Sequence, residues 1–243
     1  MANHIKTLLK KILPEELIEI KRLIFKEYNL SSYSQEGEDL ILQRIVENKN
    51  MGFYIDIGAH HPFRFSNTYL FYLKGWRGIN IDATPGSMKL FNKFRKRDIN
   101  LEVGISEKES ELAYYMFNDP ALNTFDENLA KKRNGKNGYY VVKKLPVKVY
   151  PLFKILEEYL PEGQKIDFLT IDVEGKDFEA LKSNNWYKYR PRLVLVEILS
   201  SSIEETLENP IYLFMKENGY YLSAKTFNTC FFIEKDFLGE FKK

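Results

Sequence analysis

The sequence predicts an α/β fold built on a mostly parallel, doubly wound sheet. Short apolar runs, FYIDI, GINID, INLEVGI, IDFLTIDV and RLVLVEI, recur with helical segments between them, the alternation that produces parallel strands joined by crossover helices. The stretch FYIDIGAHHP, Phe53 to Pro62, ends an apolar run in an acid, a glycine and a tight turn, which is how a central strand of an open sheet meets a ligand at its carboxyl end. GYYLSAK and TCFFIEK close the chain as two strands joined by a short turn, so the last pair is antiparallel. The expectation is one seven-stranded sheet with a C-terminal antiparallel hairpin and a helical extension at the N-terminus.

Taken in order, residues 1–30 are that extension, and residues 31–243 are the main domain. Ile5 to Tyr28 reads as one or two amphipathic helices broken at Pro14, with Glu15 and Glu16 suited to the positive end of the second. Such an arm packs on its own core, on a second copy of the chain or on a membrane surface. A helix from Glu36 to Val46 follows, with Ser34 as its expected N-cap. Then come FYIDI, a helix from Ser66 to Leu73, GINID, a helix from Gly86 to Arg97, and INLEVGI. Here the rhythm breaks. ELAYYMF and YYVVKKLPVKVY read as strands around the polar, turn-rich residues 118–140, whose length marks a lid-like segment. The second half adds a helix from Leu152 to Tyr159, IDFLTIDV, a helix through Phe178, Ala180 and Leu181, RLVLVEI and a helix from Ile211 to Glu217.

Length and composition narrow the function classes. The 243 residues, 44% of them hydrophobic, suffice for one large core. With 36 basic against 34 acidic residues, the net charge of +2 is no polyanion-binding signature, and nucleic acid is not an expected partner. Cys230 is the single cysteine, which excludes an intrachain disulfide and a thiolate-built metal site and suits a reducing, cytoplasmic setting. No apolar run reaches the length of a membrane span, and the N-terminus lacks the features of a secretory signal.

The turn after Asp56 indicates the ligand. Gly58 allows close backbone approach, and Asp82, ending the next strand, offers two acceptor oxygens to vicinal ribose hydroxyls. Ala59 and Ala83 flank these positions. A dinucleotide site needs two further glycines to admit a pyrophosphate, whereas this turn continues Ala59, His60, His61, Pro62. That disfavours NAD and leaves an adenosine cofactor without a phosphate, which describes S-adenosylmethionine. The same turn also suits a purely structural strand-to-helix connection.

SQEGED (Ser34 to Asp39), the YIDIGAHHP turn, GWRGINIDATP (Gly75 to Pro85) and IDFLTIDVEGKDFEAL (Ile166 to Leu181) stand in the order and spacing of the FkbM-type methyltransferases, which the chain resembles from about Ser31 to Glu197. The resemblance implies a Rossmann-like methyltransferase fold that uses S-adenosylmethionine, with the Asp56/Gly58 turn beside the methionine part and Asp82 on the ribose. It also implies O-methylation of a sugar or other small molecule, and a SQEGED segment that brings Gln35 and Glu38 over the cofactor.

Methyl transfer to a hydroxyl needs positioning plus a base or a metal that makes the oxygen nucleophilic. Asp172 and Glu174 in TIDVEG, and Glu197 ending the next strand, are the first candidates, since all three belong to carboxyl ends of strands. Asp172 and Glu197 would also hold a divalent metal, if one is used, and Glu174 alternatively serves as a charge at a helix N-terminus. His60 is a candidate base and His61 its neighbour. Asn67 and Thr68 would bond the cofactor or the following helix, Ser66 would cap it, and Gly104, Ile105 and Ser106, ending the third strand, would flank the adenine.

Lys131, Lys132, Arg133, Lys136, Lys143, Lys144 and Lys148 lie in one stretch without an acid. They suit either a solvated strand edge protected by lysines or a receiver for an anionic, phosphate-bearing acceptor. Two rival functions remain at this level, an NAD-dependent oxidoreductase and a non-catalytic adenosine-binding scaffold that uses its N-terminal arm for partner contacts; separately, the N-terminal helices would allow a homo-oligomer. The clustered Asp172, Glu174 and Glu197 speak against the second.

Overall fold

A computed structural model describes residues 30–46 and 49–237, together with Leu17, Ile20 and Ile24. The chain divides into two compact units, Met1–Ser31 and Ser32–Lys243. In the first, Leu17, Ile20 and Ile24 are helical; the rest of the helices expected over residues 5–28 lies outside the described residues. The second holds every described strand.

Its elements run α1 (Glu38–Ile45), β1 (Phe53–Ile57), α2 (Tyr69–Leu73), β2 (Arg77–Ile81), α3 (Met88–Phe94), β3 (Ile99–Leu101), β4 (Gly104–Ile105), β5 (Ser110–Phe117), a 3-10 turn at Pro120–Leu122, α4 (Glu127–Arg133), β6 (Val141–Tyr150), α5 (Leu152–Tyr159), β7 (Phe168–Ile171), α6 (Asp177–Lys182), β8 (Leu193–Glu197), α7 (Ile203–Glu208), α8 (Pro210–Glu217), β9 (Tyr220–Lys225) and β10 (Thr229–Glu234). Seven strands form one sheet in the order β3-β2-β1-β7-β8-β10-β9. Only β10 runs against the others, pairing antiparallel with both β8 and β9. The expected seven-stranded, mostly parallel sheet with its terminal hairpin is therefore the observed one.

The central strands read as continuous apolar runs because both faces of a parallel sheet are covered. All five residues of β1 and all four of β7 are buried. Ile55 and Ile57 join Ile79, Ile81, Leu169, Ile171, Val194 and Val196 in the larger core, while Tyr54, Phe71, Trp76, Phe168 and Phe231 form a second core. Each fully buried side chain of this size contributes about 1.5–3 kcal/mol of transfer free energy.

Local structure departs from the sequence reading in several places. INLEVGI is two strands, and Gly104–Ile105 leaves the main sheet to pair with β6. With β5 it makes a second sheet in the order β4-β6-β5, in which β4 covers β6 only at Val149 and Tyr150, so Lys143, Lys144 and Lys148 lie on a stretch of β6 with one open edge among the described strands. Ser34 is not the cap of α1. Gly37 occupies that position with φ of 86°, while the Ser34 hydroxyl donates to the Asp39 carboxylate at 2.9 Å and accepts from the Asp39 N–H at 3.3 Å. Ser66 accepts from the Tyr69 N–H at 3.1 Å at the start of α2, the capping contact its position suggests. Residues 118–140 carry the 3-10 turn and α4, which Asp126 caps by accepting from Leu129 N–H at 2.8 Å.

Candidate active site

The chain leaves β1 for β2 and β3 on one side and returns to β7 on the other, so the strand order reverses between β1 and β7. Open sheets bind ligands at the carboxyl edge of such a switch point. Register makes that edge specific. Leu101, Ile81, Ile57, Ile171 and Val196 stand side by side across β3, β2, β1, β7 and β8. One residue further along each strand come Glu102, Asp82, Gly58, Asp172 and Glu197, and Thr229 of β10 pairs with Glu197. The strand geometry thus collects four carboxylates around one glycine.

Above this row lies a cleft of about 1070 Å³, open to solvent. Gln35, Gly58, His60, Asn67, Asp82, Ala83, Gly104, Asp172, Glu174 and Glu197 all line it, so ten of the candidate residues converge. Asp56, Ala59 and Ser106 do not. Asp56 shares its strand face with Gly58 and, through its pairing, with Thr170, but it lies one residue below the cleft and is engaged there by Thr68. Its carboxylate accepts from Thr68 Oγ1 at 2.8 Å, and burial raises its pKa to about 6. Thr68 in turn accepts from the fully buried Arg95 at 3.0 Å. The same guanidinium donates to Asp98 at 2.9 Å, Tyr54 Oη at 2.7 Å and the Pro62 carbonyl at 3.1 Å. Asp56 therefore supports from beneath the turn that carries Asn67. Ala59 is packed on Met88 and Phe91, and Ser106 follows β4, with its N–H on the Tyr150 carbonyl at 3.0 Å.

Asp82 is held by the chain around it. Its two oxygens accept from the N–H of His60 at 2.9 Å and of Thr84 at 2.8 Å, which orients the carboxylate and leaves further lone pairs for a ligand. His60 has φ of 53° and its ring stacks 6.3 Å from Phe65. Burial lowers the His60 pKa, so its imidazole is neutral at neutral pH. His61 Nδ1 accepts from the N–H of Phe63 at 3.2 Å and of Arg64 at 3.1 Å and belongs to the turn, not to the cleft. Asn67 donates to Thr170 Oγ1 at 3.0 Å, and both residues line the cleft.

On the other side of Gly58 the acids crowd. Burial, then Glu197 and Glu174, push Asp172 well above the usual carboxyl range. Its side chain meets water in the open cleft, so the full penalty is felt only when a ligand displaces that water. Burial, then Glu174 and Asp177, raise Glu197 to about 8. Burial also raises Glu174, against the pull of Arg133, which it meets at 2.6 Å. Glu174 has φ of 54°, and its carbonyl accepts from Thr124 Oγ1 at 2.6 Å. It is not the helix-terminal charge; Asp177 takes that place, accepting from Val173 and Gly175 N–H at 3.0 and 3.2 Å. Among the described residues no three His, Cys, Asp or Glu side chains converge as a metal-holding set.

Several cleft residues were missed in the sequence. Glu36 joins there Gln35 and Glu38, the two residues of this segment that the resemblance already implied, because Asp39, fully buried, holds Ser32, Tyr33 and Ser34 and folds SQEGED inward. Glu36 accepts from Asn228 N–H at 2.9 Å and Glu38 from Thr229 Oγ1 at 3.3 Å. Tyr114, Asn123 and Phe125 form a wall near Gly104, with the Tyr114 and Phe125 rings 4.6 Å apart. Nothing in the local sequence of these residues marks them.

The donor set fits S-adenosylmethionine and opposes a dinucleotide. Among the described residues, Glu36, Glu38, Asp82, Asp172, Glu174 and Glu197 line the cleft and no Lys or Arg does. Such a lining attracts a sulfonium and an ammonium and repels a pyrophosphate. Apolar Val103, Ile105 and Phe125 line the same cleft as Ala83, a surface suited to a flat base, and Asp82 keeps further lone pairs for a hydroxylated ligand.

The described residues contain no helix long and apolar enough to cross a membrane. No curated protein sequence matches the chain significantly. Among solved structures it is similar to an assigned O-methyltransferase from Klebsiella pneumoniae, 10% identical over 94% of this chain and 95% of that one with a TM-score of 0.43. It is also similar to a methyltransferase from Geobacter sulfurreducens, 11% identical over 96% of each chain with a TM-score of 0.42. Likenesses this remote add nothing to the chemistry. The methyltransferase FkbM domain, in contrast, matches residues 56–222, more than two thirds of the chain. With that match on a sheet whose switch point is lined for a cationic adenosine cofactor, the chain belongs to the FkbM methyltransferase family and is an S-adenosylmethionine-dependent methyltransferase.

Proposed function

We propose that the chain methylates a hydroxyl group of a sugar or similarly hydroxylated small molecule, with Glu197 as general base. Glu197 carries this reading, because its pKa near 8 lies close to a physiological pH, where a proton acceptor works best. His60 is the weaker candidate. Its main-chain N–H is bound to Asp82, which places it on the far side of Gly58 from Glu197, and its pKa is lowered.

When bound, S-adenosylmethionine supplies an electrophilic methyl on a sulfonium. Asp82 would hold the ribose, Gly58 would let the backbone approach, and Asn67 and Gln35 would bound the methionine part. Glu197 would take the hydroxyl proton as the oxygen forms its bond to the methyl carbon, and the electrons of the breaking C–S bond would stay on sulfur. Asp172 and Glu174 would stabilise the positive charge before transfer and keep Glu197 basic. We take residues 118–140 as the cover of the site and residues 1–30 as an extension, and the buried lone Cys230 suits a reducing, cytoplasmic setting.

Incubation with methyl-labelled S-adenosylmethionine and a panel of sugars and hydroxylated metabolites, with products identified by mass spectrometry, tests this. A methyl ether is expected. Label on nitrogen or carbon, or intact activity in Glu197→Gln, would sink the reading.

A further inference from the structure

A second cavity, of about 660 Å³ and open to solvent, adjoins the cleft. The two share Glu174 and Glu197, the residues between which a methyl group and a hydroxyl would have to meet. One wall is α4, the other the end of β8. Gly175 sets the spacing between them: with φ of 95°, a Cβ there would stand 3.1 Å from Leu129 Cδ2.

The chemistry of this cavity differs from that of the cleft. Its surface is mostly apolar, with Leu129 and Leu199 in the lining, and beside Asp126, Asn128 and the two shared acids it brings to the site Lys132 and Arg133, the cations that the cleft lacks. Arg133 is committed to Glu174 at 2.6 Å, and its neighbour Lys131 to Glu127 at 2.7 Å. Lys132 has no ion-pair partner among the described residues. Leu199 is 62% exposed, although it directly follows Ile198, whose N–H is fixed on the Asn228 carbonyl at 2.8 Å. An apolar side chain held open beside a free ammonium and two shared carboxylates is an amphipathic surface. It suits a ring with a C–H face, a hydroxyl edge and a negative substituent.

We propose that this cavity is the acceptor subsite and that the acceptor is a hydroxylated ring bearing a carboxylate or phosphate. The inference rests on the hydroxyl-methylation reading above. The ring face lies on Leu129 and Leu199, the anion pairs with Lys132, and the reacting hydroxyl reaches Glu197.

The test uses the full chain saturated with S-adenosylhomocysteine and three probes: methyl β-D-glucopyranoside, methyl β-D-glucuronide and glucose 1-phosphate. The charged probes should bind about tenfold more tightly than the neutral one, with an advantage that falls as salt rises; whichever of the two binds better distinguishes carboxylate from phosphate. Lys132→Glu should abolish that advantage, and Leu199→Trp should weaken all three probes. Both side chains are on the surface, so both variants should fold, and neither should change affinity for S-adenosylhomocysteine by more than about twofold. No binding of any probe to the unaltered chain, or binding that neither substitution changes, overturns the subsite. Methyl transfer to a hydroxyl of a molecule without a ring would leave the chemistry standing and overturn only this assignment. Transfer to nitrogen or carbon would overturn the chemistry itself.

Discussion

A Cβ placed on Gly58 would stand 1.7 Å from the main-chain oxygen of Asp172. The two residues lie at the switch point, where β1 and β7 run side by side and Asp172 N–H bonds the Ile57 carbonyl at 3.0 Å. Gly58 also has φ of 82°, a conformation that costs a side chain about 1 kcal/mol or more. Gly58→Ala therefore meets backbone that cannot give way without parting two central strands. We expect a loss of more than about 3 kcal/mol of stability, read by urea denaturation, together with loss of S-adenosylhomocysteine binding. A fully stable, binding-competent variant would show that the sheet edge is looser than these contacts imply.

Asp82→Ala should act on the cofactor first. The carboxylate bridges the His60 and Thr84 N–H groups, and the proposed ribose contact adds charge-assisted hydrogen bonds worth about 1.5–3 kcal/mol each. Calorimetry with S-adenosylhomocysteine should show a Kd raised by about tenfold or more. Unchanged affinity would remove Asp82 from the ribose.

Glu197 links activity and stability to pH with opposite signs. As a base it must be ionised, so turnover should climb as pH rises through about 8, the folded-state pKa, and Glu197→Gln should abolish both the turnover and this limb. A carboxyl whose folded pKa is raised binds its proton more tightly in the folded chain. Its stabilising contribution is complete below the unfolded value, near 4.3, and is lost progressively up to about 8. The glutamine variant should therefore become more stable relative to the unaltered chain at pH 8–9 than at pH 5. Thermal melts across that range decide it, and a constant difference would refute the shift.

The Arg95 network should couple stability to cofactor affinity. Arg95→Met would leave Asp98 and Asp56 buried without their cation, at a cost of about 3–5 kcal/mol. Thr68→Val is milder, removing the link between Asp56 and Arg95 together with the 3.3 Å contact to Ser66 Oγ. Because Pro62 and Thr68 bracket the turn that carries Phe65 and Asn67 into the cleft, Thr68→Val should also weaken S-adenosylhomocysteine binding. Tyr220→Phe, which removes a 2.6 Å bond to the Pro191 carbonyl near the other end of β8, is the control. It should lower stability and leave the cofactor untouched.

The strands, their order of appearance and most of the residues at their carboxyl ends were legible in the sequence, because apolar runs, an acid and a turn glycine are local signals. Gly58, Asp82, Asp172 and Glu197 could be named this way, and α5 was bounded correctly from its apolar spacing. Tertiary structure decided what local signals do not carry. Whether Asp56 faces the ligand depends on Arg95 and Thr68, far from it in sequence. The placement of Gly104–Ile105 in a second sheet depends on Val149 and Tyr150 as pairing partners. The alignment of four acids in one row is set by register across five strands, and the elevated pKa of Glu197 by burial together with Glu174 and Asp177. Hydrogen-bond partners and electrostatic fields are properties of distances between segments, which composition and spacing along a chain do not specify.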